Sequence, residues 1–430
     1  MREIFQKDKF FEKYEPDSMT PNIKIYWKKA KDYFTCDSNN KQYIDFTSSI
    51  FASNIGHSNN KIKKKLKGVL DDPISHSYIY YNKYRQEYIS KLIKFINKKK
   101  LNKCFFVSAG TESTEVAFKL MRLNGLKKDK QKIGIICLKG NWHGRTMGAQ
   151  LMSDNKDQSK WITTKDKNVY YLDFPYPWVK DFDKKKFFKK TLIKTFGKNF
   201  NFKKKISGIM IEAFQGWGAL FYPKNFIKEL VSFAKKNDVI ISIDEMQSGF
   251  ARTGKKFCFE HYNFTPDILC CGKGMGSGMP LSGVVTSKKI MAIDNANLQS
   301  THSGNPLSCA AGAVTIDEIL RLKLTEKAKR DGIIFGKFLE EIKNEFSKSI
   351  KAVTYRGLIG AIIFNNTKKH RANVIGDIIS RKCLKKGLLV VNTGRDSIKL
   401  GPPLTISTND LKKSMKIIQE SVRIFFNENN

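Results

Sequence analysis

The chain contains no run of eighteen or more apolar residues, which excludes an ordinary membrane-spanning helix. Met1 to Asp8 lack the apolar core of a secretory leader. Cysteine is sparse: eight residues are scattered, mostly inside apolar segments (Cys104, Cys137, Cys270, Cys271). That distribution suits reduced, buried thiols in a cytoplasm better than a disulfide framework. Cys270 and Cys271 are adjacent and no second pair stands at metal-ligand spacing, so no metal site is expected. Internal repeats and low-complexity linkers are also missing. Acidic residues are short in supply, 40 against 78 Lys plus Arg, for a formal net charge of +38. Such an excess accompanies nucleic-acid, membrane-surface or anionic-substrate partners. Here the lysines spread along the whole chain, as in Lys63-Lys64-Lys65 and Lys203-Lys204-Lys205, and no zinc finger or aromatic RNP signature accompanies them. Lysine bias at solvated positions is the plainer reading. No specific nucleic-acid partner and no membrane partner are expected.

What is present is a globular chain of 430 residues, 41% hydrophobic, long enough for more than one domain. Short apolar segments at residues 103–108, 133–138, 206–212, 239–244 and 268–272 read as strands. Helical patterns lie between them, for example over 111–123 and 225–237. Strands alternating with helices predict an α/β fold with a mostly parallel, doubly wound sheet. Residues 305–346 read as helix, begun by Pro306. The alternation at 359–364 and 398–400 predicts a smaller α+β domain. The expected organisation is an N-terminal arm (1–55) joining the small domain, a large domain (56–310) and a C-terminal small domain (311–430).

Two strand ends carry the chemistry. Val239 to Asp244 is an apolar strand ending in a carboxylate; Ile268 to Gly272 is another, ending at Lys273 and a glycine-rich turn. In an open α/β sheet both side chains emerge at the carboxyl edge, where ligands bind. An amine and an acid held at fixed separation are what pyridoxal 5'-phosphate (PLP) requires. The amine forms the Schiff base, and the acid keeps the pyridine nitrogen protonated. Lys273 must be desolvated, or lie beside another cation, to be nucleophilic near neutral pH. Gln247, three residues past Asp244, is placed to donate to the ring's phenolic oxygen.

Further motifs sit at other strand ends. Ser108-Ala109-Gly110-Thr111-Glu112 turns from a strand into a helix whose free N–H groups suit phosphate, although Gly-Thr at such a place is usually an ordinary cap. Trp142, in Asn141-Trp142-His143-Gly144-Arg145-Thr146, can lie flat on a planar ring or merely seal the core edge. His143 alone reads as structural. Glu212 interrupts an apolar strand, so it is wet or partnered. Trp217, between two glycines, projects above that strand's end. Thr301, in the polar loop before Pro306, is a second candidate phosphate donor.

In this combination and order the residues closely resemble the class III aminotransferases, the ornithine/4-aminobutyrate aminotransferase-like group of PLP fold type I. The resemblance runs from about Tyr43 to Leu404. It implies that Lys273 is the Schiff-base lysine and proton shuttle, Asp244 the pyridine-nitrogen partner and Gln247 the phenolic-oxygen partner. By the same resemblance Gly110 and Thr111 form the phosphate cup, Trp142 stacks on the ring, and Glu212 is the active-site glutamate. Thr301 matches a phosphate contact supplied by the neighbouring subunit, which implies a homodimer with interface active sites. Members with a glutamate gate read Gln-Gly-Glu-Gly where this chain has Gln215-Gly216-Trp217-Gly218. The arginine that pairs with that glutamate is replaced by Lys399, with Arg395 four residues earlier. A lysine offers a point charge instead of a bidentate fork. The expected reaction therefore moves an amino group from a primary amine with a bulky or weakly anionic body (amino sugar, diamine, amino alcohol or ω-amino acid) to a 2-oxo acid such as 2-oxoglutarate or pyruvate. The residues around the ring do not separate transfer from lyase, aminomutase or decarboxylase chemistry. A basic nucleic-acid-binding protein with an idle cofactor site is a third reading, resting on the charge alone.

Overall fold

The computed structural model describes residues 10–19, 23–72, 74, 76–164, 166–179, 186–293 and 298–429. Met1 to Asp8, considered above for a leader, lie outside the described residues, as does part of the expected arm. The arm supplies β1 (Trp27–Lys31), β2 (Phe34–Asp37) and β3 (Gln42–Asp45), an antiparallel meander. The central sheet follows with β4 (Lys103–Val107), β5 (Gly134–Leu138), β6 (Val169–Leu172), β7 (Ile206–Glu212), β8 (Ile240–Asp244), β9 (Ile268–Cys271) and β10 (Ser282–Thr286). The C-terminal lobe holds β11 (Ile350–Arg356), β12 (Ile359–Phe364), β13 (Leu388–Leu389), β14 (Val391–Asn392) and β15 (Ser397–Leu400).

The central sheet has the order β4-β10-β9-β8-β7-β5-β6. Only β10 runs antiparallel, pairing with β4 and β9. The strands expected from the sequence are present, within a residue or so of their anticipated bounds. Strands β6 and β10 are additions to that expectation. The first is an edge strand of half-buried Val-Tyr-Tyr. The second, Ser-Gly-Val-Val-Thr, follows a glycine-rich turn and reads as its continuation. Gly283 lets β10 lie close to its neighbour; a Cβ there would sit 2.5 Å from the Phe105 carbonyl oxygen. Every residue of β5, β7 and β9 is buried, as expected for parallel strands covered on both faces.

The helical reading of the C-terminal half is borne out, with one break that the sequence does not show. Residues 305–346 form two helices, Pro306–Arg321 and Leu324–Glu345. The break lies at Lys323, whose φ of 49° is left-handed. The first helix packs on Asn60–Leu70 and Lys83–Ile96; the second packs on β11 and the C-terminal helix Thr408–Asn429. The chain must turn to pass between these layers, and no glycine or proline marks the place. The expected boundary at residue 310 falls inside the first of these helices. The arm and C-terminal lobe share a sheet, with β13 parallel to β3. Fully buried Arg252 ties three parts together: its guanidinium donates to Asn54 Oδ1 at 2.7 Å, to the Leu358 carbonyl at 3.0 Å and to the Pro402 carbonyl. Burial lowers its pKa to about 9.

All eight cysteines are unpaired, seven of them buried. No described helix is long and apolar enough to cross a membrane. Among the described residues no three His, Cys, Asp or Glu side chains are grouped to hold a metal ion.

Candidate active site

Strands β9, β8, β7 and β5 are neighbours, so their carboxyl ends bring Lys273, Asp244, Glu212 and Trp142 to one edge. Register places Asp244 opposite Glu212 on β7 and opposite Cys270 on β9. A cavity of ≈ 130 Å3 opens there. Seven of the expected residues line it: Gly110, Thr111, Trp142, Glu212, Asp244, Gln247 and Lys273.

Asp244, 6% exposed, is held at both oxygens. The Met246 N–H donates to Oδ1 at 2.9 Å, and His143 Nδ1 lies 3.0 Å from Oδ2. His143 is fixed in turn: its N–H donates to Ser153 Oγ at 2.7 Å, and Asn141 Nδ2 lies 3.3 Å from its Nε2. A carboxylate only accepts, so Nδ1 carries a proton that it donates to Asp244. His143 thus belongs to the site, and the isolated residue gave no signal of it. The available clue was its place in a strand-end motif that already contained Trp142.

Glu212 accepts the Trp142 N–H and the Gly216 N–H, each at 3.1 Å. Burial chiefly, and the charge of Asp244 next, push its pKa up to about 8. Lys273 follows β9 with a left-handed φ of 49°. Non-glycine residues held in that region cluster at functional sites. Burial lowers its pKa, opposed by Asp244 and Glu212. The amine is therefore biased toward its neutral, nucleophilic form.

At the other end the helix Gly110–Leu126 starts beside the cavity. Glu112 Oε2 accepts the Ser108 N–H at 3.0 Å and the Ala109 N–H at 2.7 Å, anchoring the turn. The first-turn N–H groups have no intrahelical acceptor and suit an anion. Thr111 Oγ1 is 2.6 Å from Thr146 Oγ1. Gly144, at φ 137°, passes so close that a Cβ would lie 2.3 Å from Thr111 Oγ1.

Four expected residues do not line this cavity. Thr301 is exposed on its loop; the nearby Ser300 hydroxyl reaches Glu112 at 3.4 Å. Trp217 is half-buried, its Nε1–H donating to Gln215 Oε1 at 2.7 Å. It leans on Tyr176 and Trp178 and carries the Arg395 guanidinium 5.7 Å above its ring. Lys399 is 5% exposed, with its amine 2.8 Å from the Gly216 carbonyl and 2.7 Å from Gln247 Oε1. Burial first lowers its pKa, to about 7. Phe214 also lines the cavity, an addition to the expected set.

A desolvated lysine and two carboxylates at the carboxyl edge of a doubly wound sheet, beside a helix N-terminus, define a transaminase-like α/β enzyme. The family model for class III aminotransferases matches residues 16–422, and the chain belongs to that family. It is similar to the mitochondrial acetylornithine aminotransferase of Candida glabrata, 30% identical over 402 residues, covering 91% of this chain and 88% of that one. Among solved structures it resembles a transaminase from the marine bacterium Virgibacillus, with TM-score 0.89, 22% identity and coverage of 99% and 100% of the two chains. It also resembles the ornithine aminotransferase from Toxoplasma gondii, which holds PLP at partial occupancy in its active site, with TM-score 0.85, 20% identity and coverage of 98% and 95%. The protein is therefore a class III aminotransferase of fold type I, an enzyme transferring amino groups from an amine to a 2-oxo acid. Class III aminotransferases are PLP enzymes.

Proposed function

We propose that this chain binds PLP in the cavity between Lys273 and Asp244 and uses it to transaminate a primary amine against a 2-oxo acid. The observation that carries the proposal is the convergence of a desolvated lysine, a braced aspartate, a tryptophan face and a helix N-terminus on one cavity. The residues fit the group. Asp244 is an acceptor for a ring N–H, Trp142 offers a face, Gln247 offers an amide, and Thr111 with the first-turn N–H groups offers donors for phosphate. When bound, PLP supplies an electron sink for the bond electrons released beside the amine carbon.

The remaining work belongs to the chain. Lys273 Nζ, its pKa lowered by desolvation, is the base that would take the proton from the carbon bearing the donor's amine. His143 presents its Nδ1 proton to Asp244 and so fixes the carboxylate's direction. Glu212, held by two backbone N–H groups, keeps the Trp142 loop and the Gly216 turn in register. Packing at the end of β9 partly desolvates Lys273. Thr301, exposed in the single chain and outside the cavity, suits donation to a second copy, so we assign a homodimer. We assign the cytoplasm, where eight unpaired cysteines stay reduced.

For the donor, the similar proteins are named for acetylornithine and ornithine. Here the gate glutamate is Trp217 and its arginine partner is Lys399, which supports a bulkier or less anionic amine. Purified protein supplied with PLP should turn yellow, and a panel of amines should bleach it. Acetylornithine outpacing a diamine, an amino sugar and an amino alcohol by more than about tenfold overturns the substrate reading. Absence of any visible band overturns the cofactor reading.

A further inference from the structure

Lys399 stands where a substrate-carboxylate cation was expected, yet its amine already has two acceptors. It reaches from β15 to the Gly216 carbonyl at 2.8 Å and to Gln247 Oε1 at 2.7 Å. The Phe51 ring closes it from another side, 4.7 Å away. The charged groups whose fields it feels are Glu212 and Lys273. A lysine amine facing two carbonyl oxygens donates to both, which settles how the Gln247 amide is turned. Its oxygen points to Lys399, and only its NH2 group is left to offer the cavity it lines. Among the described residues that NH2 group makes no hydrogen bond. It lies against the bare Cα of Gly216, where a Cβ would come within 2.6 Å of Gln247 Nε2 and equally of Glu212 Oε1.

We propose that Lys399 is a positioning residue: it locks the Gln247 amide as a donor toward the cavity and does not receive a substrate carboxylate. This rests on the cofactor reading, because the group that takes the Gln247 donor is the phenolic oxygen of bound PLP. Two properties follow. The holoenzyme's visible band should titrate at lower pH than it would without that donor. Carboxylate substrates should not depend on Lys399 for affinity.

The test is a double-variant cycle on the PLP-loaded enzyme. Gln247→Leu and Lys399→Met are each expected to raise the midpoint of the visible transition by about one pH unit, the size of one hydrogen bond to a charged oxygen. The double variant should move the midpoint no further than either single one. KM for the 2-oxo acid should stay within about threefold while kcat falls about tenfold. Additive changes in midpoint, or a KM increase of more than tenfold at unchanged kcat, overturn the proposal, since Lys399 would then act by its own charge or as a substrate ligand. Should Lys399→Met fail to fold, Lys399→Gln retains an N–H donor without the charge. An unchanged midpoint then supports the locking role, and a midpoint as high as that of Gln247→Leu overturns it. If the unsubstituted protein shows no visible band with PLP, the cofactor reading fails, an outcome distinct from either titration pattern.

Discussion

The site is assembled from two sides that obey different rules. On the large-sheet side, Trp142, Glu212, Asp244 and Lys273 each sit where an apolar strand ends, and adjacent strands bring them together. On the small-lobe side, Lys399 lies within β15 (Ser-Ile-Lys-Leu), a strand buried throughout, and reaches the site only because the lobe docks over the Gly216 turn. Strand ends place side chains by topology, whereas β15 places one by docking. The first side should therefore tolerate no chemical change, and the second should grade its response with packing and polarity.

The sharpest way to break this contrast is Lys273→Ala. Transamination should fall by at least about 10³-fold, measured as product formed with saturating amine and 2-oxo acid. Full turnover in that variant would remove the large-sheet side from the chemistry. Asp244→Asn comes next, with a loss in kcat of about 10²–10⁴-fold. His143→Ala should cost about 10–100-fold through misdirection of Asp244, as removal of supporting partners does elsewhere. A loss equal to that of Lys273→Ala would make His143 a reacting group rather than a brace.

Glu212 sharpens the comparison through pH. Its folded pKa is raised, from an ordinary 4.5 to about 8, so the folded state holds a proton the unfolded chain releases. That stability is present below about pH 4.5 and is lost as pH rises toward 8. Denaturant unfolding of cofactor-free protein should show this decline, by at most about 1.4 kcal/mol per pH unit. Glu212→Gln should flatten it. Lys399 has the opposite sign: its lowered pKa adds stability as pH rises from about 7 toward 10.5. The smallest expected effect is at the rim. Trp217→Ala should change KM among amine donors by about 3–10-fold with kcat nearly unchanged, since Trp217 does not line the cavity beside Lys273. A large fall in kcat would move Trp217 into the reacting set.

Much of the large-sheet side was legible because its signals are local. An apolar run of four to seven residues closed by Asp244, Glu212 or Lys273 names a strand and its functional end together. Strand β10 escapes such a reading because Ser282 and Gly283 disguise it, and its antiparallel direction depends on β4 and β9 lying on either side. The break at Lys323 is invisible in the sequence because a left-handed lysine leaves no compositional trace. His143 and Gln247 are within view, but the contacts that define them, to Asp244 and to Lys399, join residues 101 and 152 positions apart.

The sequence by itself determined the family and the strand ends, and it marked Lys273 and Asp244 as the candidate amine and acid, because each is written in a short contiguous pattern. Only the tertiary structure decided that His143 braces Asp244, that Thr301 lies outside its own chain's cavity and that the Lys399 amine is occupied by Gln247. Those facts depend on distances between segments far apart in the chain, which are set by how sheet, arm and lobe pack.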